Sequence, residues 1–519
     1  MRWKIRATPE EGPLQKLQQE LGINRELSIL LAQRGIDSYT EARRFFLPLE
    51  QDLHDPFLMA DMQKAVDRCI SAIQNREKIM VFGDYDVDGT TSVALMVEFL
   101  RQLDVELLPY IPDRYDEGYG LSEKGMRLAA EEGCGLIIAL DCGIKGHTEV
   151  ALANSLGVDM VICDHHQPGN GLPPAHAILD PKRSDCSYPF KELSGCGVGF
   201  KLAQAISMQM QRPVEALNPL YDLLAVSIAA DIVPVVGESR SLLARGLERI
   251  NSSPRVGLKC LQGLSGRTGP LGTEELVFQI SPRINAAGRI AHGSLAVDLL
   301  TTQSEERAHE LAAQINELNT NRRSFDERIG QEALEQLEGT QDSYTSVVFN
   351  PEWHKGVIGI AASRLIETHY RPTVVLTRSG EVLAGSARSV HGFDLYSAID
   401  RCREHLIQFG GHAFAAGMTM REDQLQSFRT AFEESVKSHI REDQRIPGID
   451  IDLIVDLSFL DRRFYNTLER MGPFGPGNMK PVLATFGLID DNSRTVGEDG
   501  AHLKLSLRDG EGVCMEGIA

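Results

Sequence analysis

A chain of 519 residues exceeds the roughly 250–300 that one hydrophobic core supports, so several domains are expected. Hydrophobic residues at 42% are ample for folded cores, while a formal net charge of −20 excludes a surface that grips nucleic acid all over and leaves room only for a local basic channel. No stretch approaches the ~20 uninterrupted apolar residues of a membrane helix, Met1-Arg2-Trp3-Lys4-Ile5 lacks a signal-peptide core, and the nine cysteines form no C-x-x-C pair, which predicts a cytoplasmic protein with free thiols and no membrane partner.

In chain order, residues 1–50 read as a helical preface with patches at 13–19 and 40–46 and no strand-like run. A helix at 61–75 leads into Ile79-Met80-Val81-Phe82, an unbroken apolar run that reads as a buried parallel strand. The strand empties into Gly83-Asp84-Tyr85-Asp86-Val87-Asp88-Gly89, and an amphipathic helix is expected over 92–103. Asp84, Asp86 and Asp88 thus lie at the carboxyl end of a strand, where open α/β sheets place ligands. Like charges this close raise each other's pKa unless a cation neutralises them.

The pattern then repeats. Residues 106–111 form a short strand ending in a loop that holds Arg114 among aromatic residues and glycines. After a helix at 122–132, the strand 135–140 ends at Asp141; after a helix at 148–156, the strand 158–163 ends at Asp164-His165-His166. Each acid alone is explained as a helix cap or turn residue. Three strands that each deliver acids or imidazoles to one sheet edge point instead to a metal site. Asp231 follows the apolar helix 221–230, where a carboxylate beside the negative dipole pole needs a cation to offset it.

Oxygen ligands with one or two imidazoles suit Mg2+ or Mn2+, and the histidines shift the balance towards Mn2+. Asp84, Asp86, Asp88, Asp141, His165, His166 and Asp231 are more ligands than one ion needs. Two ions sharing Asp141 would activate a water and stabilise the leaving oxygen of a phosphoryl group.

Asp84 to Gly89, Asp141, Asp164-His165-His166 and Ala230-Asp231 resemble, in that order, the four motifs of the DHH phosphoesterase superfamily. The likeness extends to its RecJ branch, single-strand-specific 5′→3′ exonucleases: Ile280-Ser281-Pro282-Arg283-Ile284-Asn285-Ala286-Ala287-Gly288-Arg289 is similar to that branch's linker-side motif, and Arg388-Ser389 with Gly410-Gly411-His412 is similar to the substrate motifs of the DHHA1 domain. The resemblance implies that Asp86, Asp88, Asp141, His165 and Asp231 are metal ligands, with Asp84 and His166 at neighbouring positions and His166 among the catalytic set. It also implies that Arg283, Asn285, Arg289, Arg388 and His412 hold the nucleotide strand, with Arg114, Ser386, Ser389, Gly410 and Gly411 beside them.

The fold class this implies is α/β: a parallel-sheet DHH domain joined by a long helix to a smaller α/β DHHA1 domain, followed by an OB-like β-barrel. The expected parts are a helical extension at 1–50, a catalytic domain at 51–300, a connecting helix at 301–340, a DHHA1 domain at 341–445 and an OB-like domain at 446–519. The strand-like runs near the end, 451–455, 482–486 and 503–507, fall short of the about five strands of a full barrel, which predicts an incomplete one. Arg322, Arg323 and Arg328 on the long helix read first as solvated surface. Single-stranded DNA is the implied substrate, released as mononucleotides, with a single-strand-binding protein and a RecQ-type helicase as implied partners in recombination and repair.

Overall fold

The computed structural model describes residues 1–48, 50–266, 269–497 and 500–519. The chain divides into two compact units, one of Trp3–Ser281, Leu300–Ser304 and Asp450–Ala519, the other of Met1–Arg2, Pro282–Leu299 and Glu305–Ile449.

The first unit is built on a parallel sheet. After a short strand β1 (Arg2–Ile5), the sheet comprises β2 (Lys78–Gly83), β3 (Leu107–Tyr110), β4 (Cys134–Leu140), β5 (Asp159–Cys163) and β6 (Ala177–Leu179), ordered β3-β2-β4-β5-β6 with every pairing parallel. The apolar runs that define β2, β4 and β5 are fully buried, as strands covered on both faces must be. Because the chain moves from β2 to β3 on one side and then to β4 on the other, the strand order reverses between β2 and β4. Their carboxyl ends flank a crevice at this switch point.

Three helices close on that edge: α5 (Val87–Arg101), α8 (Gly195–Gln209) and α9 (Tyr221–Ala230). Helix α5 starts five residues before the expected 92, so Asp88 sits inside its first turn rather than on a loop. The strand β6 was not anticipated, because a three-residue apolar run carries no periodicity.

Residues 1–48 contain the two expected helices, Glu11–Leu21 and Tyr39–Phe46, together with an unexpected third, Arg25–Ala32, and β1, contrary to the strand-free reading of this segment. Arg2, Lys4 and Arg6 alternate with Trp3 and Ile5, a pattern that strands accommodate and that a short charged segment disguises. The helices bury Leu14, Leu17, Leu30 and Ile36 in a core shared with Leu453, Val455, Phe464 and Met471. Beyond this core come the parallel pair Leu453–Ile454 and Leu483–Ala484, and an antiparallel sheet of Ile489–Asp490, Arg494–Val496, His502–Arg508 and Cys514–Ile518, the OB-like strands.

The second unit holds the 32-residue helix Glu305–Gln336 and a mixed sheet of β7 (Ser346–Phe349), β8 (Thr373–Ser379), β9 (Val382–Arg388), β10 (Gln408–His412) and β11 (Ala415–Met420), ordered β10-β11-β9-β8-β7. Only β7 and β8 pair in parallel. All nine cysteines are free and only Cys514 is exposed; Cys142 and Cys163 are core residues. Among the described residues no helix is long and apolar enough to cross a membrane.

Candidate metal centre and substrate residues

The turn after β2 is fixed by its backbone. Asp86 caps α5, its Oδ1 accepting from Gly89 N at 3.0 Å. A Cβ on residue 89 would fall 2.3 Å from Asp84 O and 2.5 Å from Asp84 N, so only glycine lets the helix start this close to the strand end. Asp88 faces inward and is met by two other helices: its Oδ2 accepts from Gly195 N at 2.6 Å, and its Oδ1 from Cys196 N at 2.9 Å and Ser227 Oγ at 2.7 Å. The positive end of α8 thereby holds the carboxylate in place.

Asp141 ends β4 with φ of 60°, a left-handed conformation that Asp tolerates better than most residues. At the end of β5, Asp164 is an organiser. Its Oδ2 accepts from Ile144 N at 2.9 Å, and its Oδ1 takes His165 N at 2.7 Å and faces His166 Nδ1 at 2.8 Å, setting the direction of both imidazoles. His165 Nε2 then lies 3.2 Å from Asp141 Oδ1, 3.6 Å from Asp231 Oδ2 and 3.8 Å from Asp88 Oδ2. Asp231 caps the carboxyl end of α9, as its sequence position implied.

Two triplets therefore offer ligand atoms within 4.8 Å of one another: Asp141, His165 and His166, and Asp88, His165 and Asp231. Asp84 and Asp86 lie beside them, close enough for their charges to act on Asp141. Burial, reinforced by the neighbouring carboxylates, pushes the pKa of Asp84, Asp141 and Asp231 well above the ordinary carboxylate value. Burial likewise lowers the pKa of His165, favouring the neutral, ligating imidazole. Both oxygens of Asp84, Oδ1 of Asp141, Oδ2 of Asp231 and both ring nitrogens of His165 are buried without a hydrogen-bond partner. Buried polar atoms are normally satisfied. A cluster left in this state, rich in oxygen with one or two imidazoles and no thiolate ligand, fits divalent cations of the Mg2+ or Mn2+ type.

The remaining residues singled out from sequence separate by unit. Arg114 belongs with the acids: its guanidinium stacks 4.6 Å above the Tyr85 ring, and its charge partly offsets the raised pKa of Asp84. All the others are in the second unit. Arg283 is buried, its Nε donating to Asn316 Oδ1 at 3.0 Å, and Asn285 shares its helix. Arg289 donates to Gly356 O at 3.1 Å. Arg388 ends β9, donating to Ser386 Oγ at 3.0 Å and Ala387 O at 2.8 Å, and burial lowers its pKa. Ser389 spends its hydroxyl proton on Phe393 O at 2.8 Å.

Gly410-Gly411-His412 is extended rather than looped. It is strand β10, with Gly410 opposite Gly417 and Gly411 opposite Ala416. At Gly411 φ is 147° and a Cβ would lie 2.3 Å from Ala415 O, so this glycine serves close strand approach. His412 is exposed at the strand end. Arg322, read as solvated surface, is half-buried, with its Nε unpartnered and its pKa lowered by burial.

Sequence reasoning missed the fifth strand's contribution. Asp180 follows β6 at the same sheet edge, and burial pushes its pKa up to about 7. The apolar triplet before it was the only local signal. It also missed the α8 amides and Ser227 that seat Asp88, because Ser194-Gly195-Cys196 reads as an ordinary helix start.

A switch-point parallel sheet ending in clustered carboxylates and imidazoles is the arrangement of a metal-dependent phosphoester hydrolase. Residues 78–228 match the N-terminal domain of the DHH family, 341–438 the DHHA1 domain and 451–519 the RecJ OB domain. The chain is 39% identical over 512 residues to the single-stranded-DNA-specific exonuclease RecJ of Bacillus subtilis (strain 168), an alignment covering 98% of this chain and 64% of that protein. With its counterpart from Escherichia coli (strain K12) the identity is 34% over 517 residues, covering 94% of this chain and 88% of that one. The crystal structure of RecJ in complex with Mn2+ from Thermus thermophilus superposes with a TM-score of 0.87 at 28% identity, covering 99% of this chain and 74% of that chain. The chain belongs to the RecJ family.

Proposed function

We propose that this protein is a metal-dependent exonuclease that hydrolyses single-stranded DNA from its 5′ end to mononucleotides. The observation that carries this reading is the cluster of buried, unpartnered carboxylate and imidazole atoms at the switch point of the parallel sheet. Asp86, Asp88, Asp141, His165 and Asp231 would hold two Mn2+ or Mg2+ ions, with Asp84 and His166 at their margin. When bound, such ions supply Lewis-acid activation of the phosphodiester and of water.

The chain's own residues prepare this chemistry. Asp164 fixes which nitrogen of His166 is committed, leaving Nε2 towards Tyr119 Oη at 3.0 Å. The amides of α8 hold Asp88 in one rotamer. Arg114 tempers the acidic turn for an incoming phosphate. In the second unit, Arg283, Asn285, Arg289, Ser386, Arg388, Gly410, Gly411 and His412 make up the strand-holding surface, with the arginines providing fork-shaped donors to phosphate. We keep the five-part division at 50, 300, 340 and 445 as the functional map. A cytoplasmic location, and a single-strand-binding protein and a RecQ-type helicase as partners in recombination and repair, follow from the family reading.

The test uses single strands labelled at the 5′ or the 3′ end. Mn2+-dependent release of labelled mononucleotide first from the 5′ end is expected, and Asp141→Ala should abolish it. Full activity of that variant, or cleavage confined to cyclic dinucleotides or very short oligonucleotides, would refute the assignment.

A further inference from the structure

Strand β1 carries side chains that no core explains. All four of its residues, Arg2–Ile5, are exposed, an unusual state for a strand carrying tryptophan. Trp3 is 54% exposed and Phe486 is 58% exposed, and their ring centroids lie 5.9 Å apart at 52°. The chain's other tryptophan shows the contrast: Trp353 is 3% exposed and donates its indole N–H to Glu332 Oε2 at 2.7 Å.

Cationic residues alternate with these apolar ones. Lys4 follows Trp3, and Arg6 reaches Asp452 at 3.3 Å with its own side chain still 41% exposed. The strand's end is pinned, Arg6 N donating to Ile451 O at 2.9 Å, so the aromatic pair sits on ordered backbone. In a chain of net charge −20, a basic segment interleaved with a bare tryptophan is a local exception. Sequence-tolerant binding of single strands uses this combination, with π faces for bases and cations for phosphates. Phe486 lies within the segment that matches the RecJ OB domain, which places the pair against a strand-binding type of module.

We propose that Trp3 and Phe486 form a base-stacking platform for single-stranded DNA, so that the amino-terminal strand extends the substrate track. The inference rests on the exonuclease reading above, and its test separates the two. Because Trp3 is the exposed one of only two tryptophans, its fluorescence reports on the platform directly.

In chelator, where no cleavage occurs, a thymidine homopolymer of about twenty nucleotides, longer than the ~16-nucleotide site of one OB fold, should quench the exposed component. Trp3→Phe should keep binding yet abolish the quenching, leaving the emission of buried Trp353. Trp3→Ala and Phe486→Ala should each weaken binding about tenfold. Absence of quenching in a sample that digests the same strand once Mn2+ is added would overturn the platform and spare the exonuclease reading. Quenching without any digestion would do the reverse. Quenching by an acidic peptide and not by DNA would make this a protein-docking surface and overturn the proposal.

Discussion

The acidic sheet edge of the first unit and the arginine-bearing surface of the second differ in how their charges are left. At the sheet edge, buried carboxylates crowd one another and keep oxygens without partners, so the fold stores an unmet need for cations. In the second unit, Arg283 and Arg388 are likewise desolvated, but the hydrogen bonds described for them go to neutral groups, Asn316, Ser386 and the Ala387 carbonyl. These hydrogen bonds orient the guanidiniums. One region suits a metal and the other an anion.

The comparison is broken most severely by Asp141→Asn, which leaves the sheet intact and removes the carboxylate from the Asp141, His165 and His166 triplet. Activity on single strands should fall on the order of 10³-fold, with Mn2+ binding by calorimetry weakened in parallel. Arg388→Ala should do the opposite in kind: KM for DNA rises about 10–100-fold, the loss of a charged hydrogen-bond set, while Mn2+ affinity is unchanged. Equal loss of metal affinity in both variants would dissolve the division of labour.

Chelation sharpens the point through stability. The raised pKa values of Asp84, Asp141 and Asp231 mean that the metal-free folded state keeps protons that the unfolded chain releases above about pH 4. Their favourable term is complete below that pH and is lost as pH rises through the raised folded values. Metal-free Tm should therefore fall by a few degrees between mildly acidic and neutral pH, and Mn2+ should restore it at neutral pH; a Tm indifferent to chelator would count against the site. The smallest effect is expected from Ser389→Ala, about twofold or less in kcat/KM, because that hydroxyl proton is already committed to Phe393 O.

Much of the acidic sheet edge was legible in the sequence because β2, β4 and β5 announce themselves by apolar runs that lead into an acid. Asp84, Asp141 and His165 were found in this way, and the hypothesis of neutralising metal followed from their crowding. The beginning of α5 was misjudged by five residues, since Gly89, Thr90 and Thr91 are weak helix formers held here by the cap of Asp86 and the close approach to Asp84. The glycine pair at 410–411 is ambiguous in sequence, since glycine suits turns and closely packed strands alike, and only the packing of β10 on β11 shows that Gly411 serves the second purpose.

By itself, then, the sequence determined the alternation of buried strands and helices, the acids at their ends and the residue types that suit Mn2+ or Mg2+. Those features are written within a dozen residues of one another, where periodicity and turn chemistry operate. Tertiary structure alone decided that α8 and Ser227 seat Asp88, that Asp180 joins the edge, that the first helices share a core with Leu453 and Phe464, and that Trp3 meets Phe486. Three of the four are contacts between residues roughly a hundred to nearly five hundred positions apart, and Asp180 depends on the pairing of β6 with β5; all are selected by packing and chain topology, for which no local pattern exists.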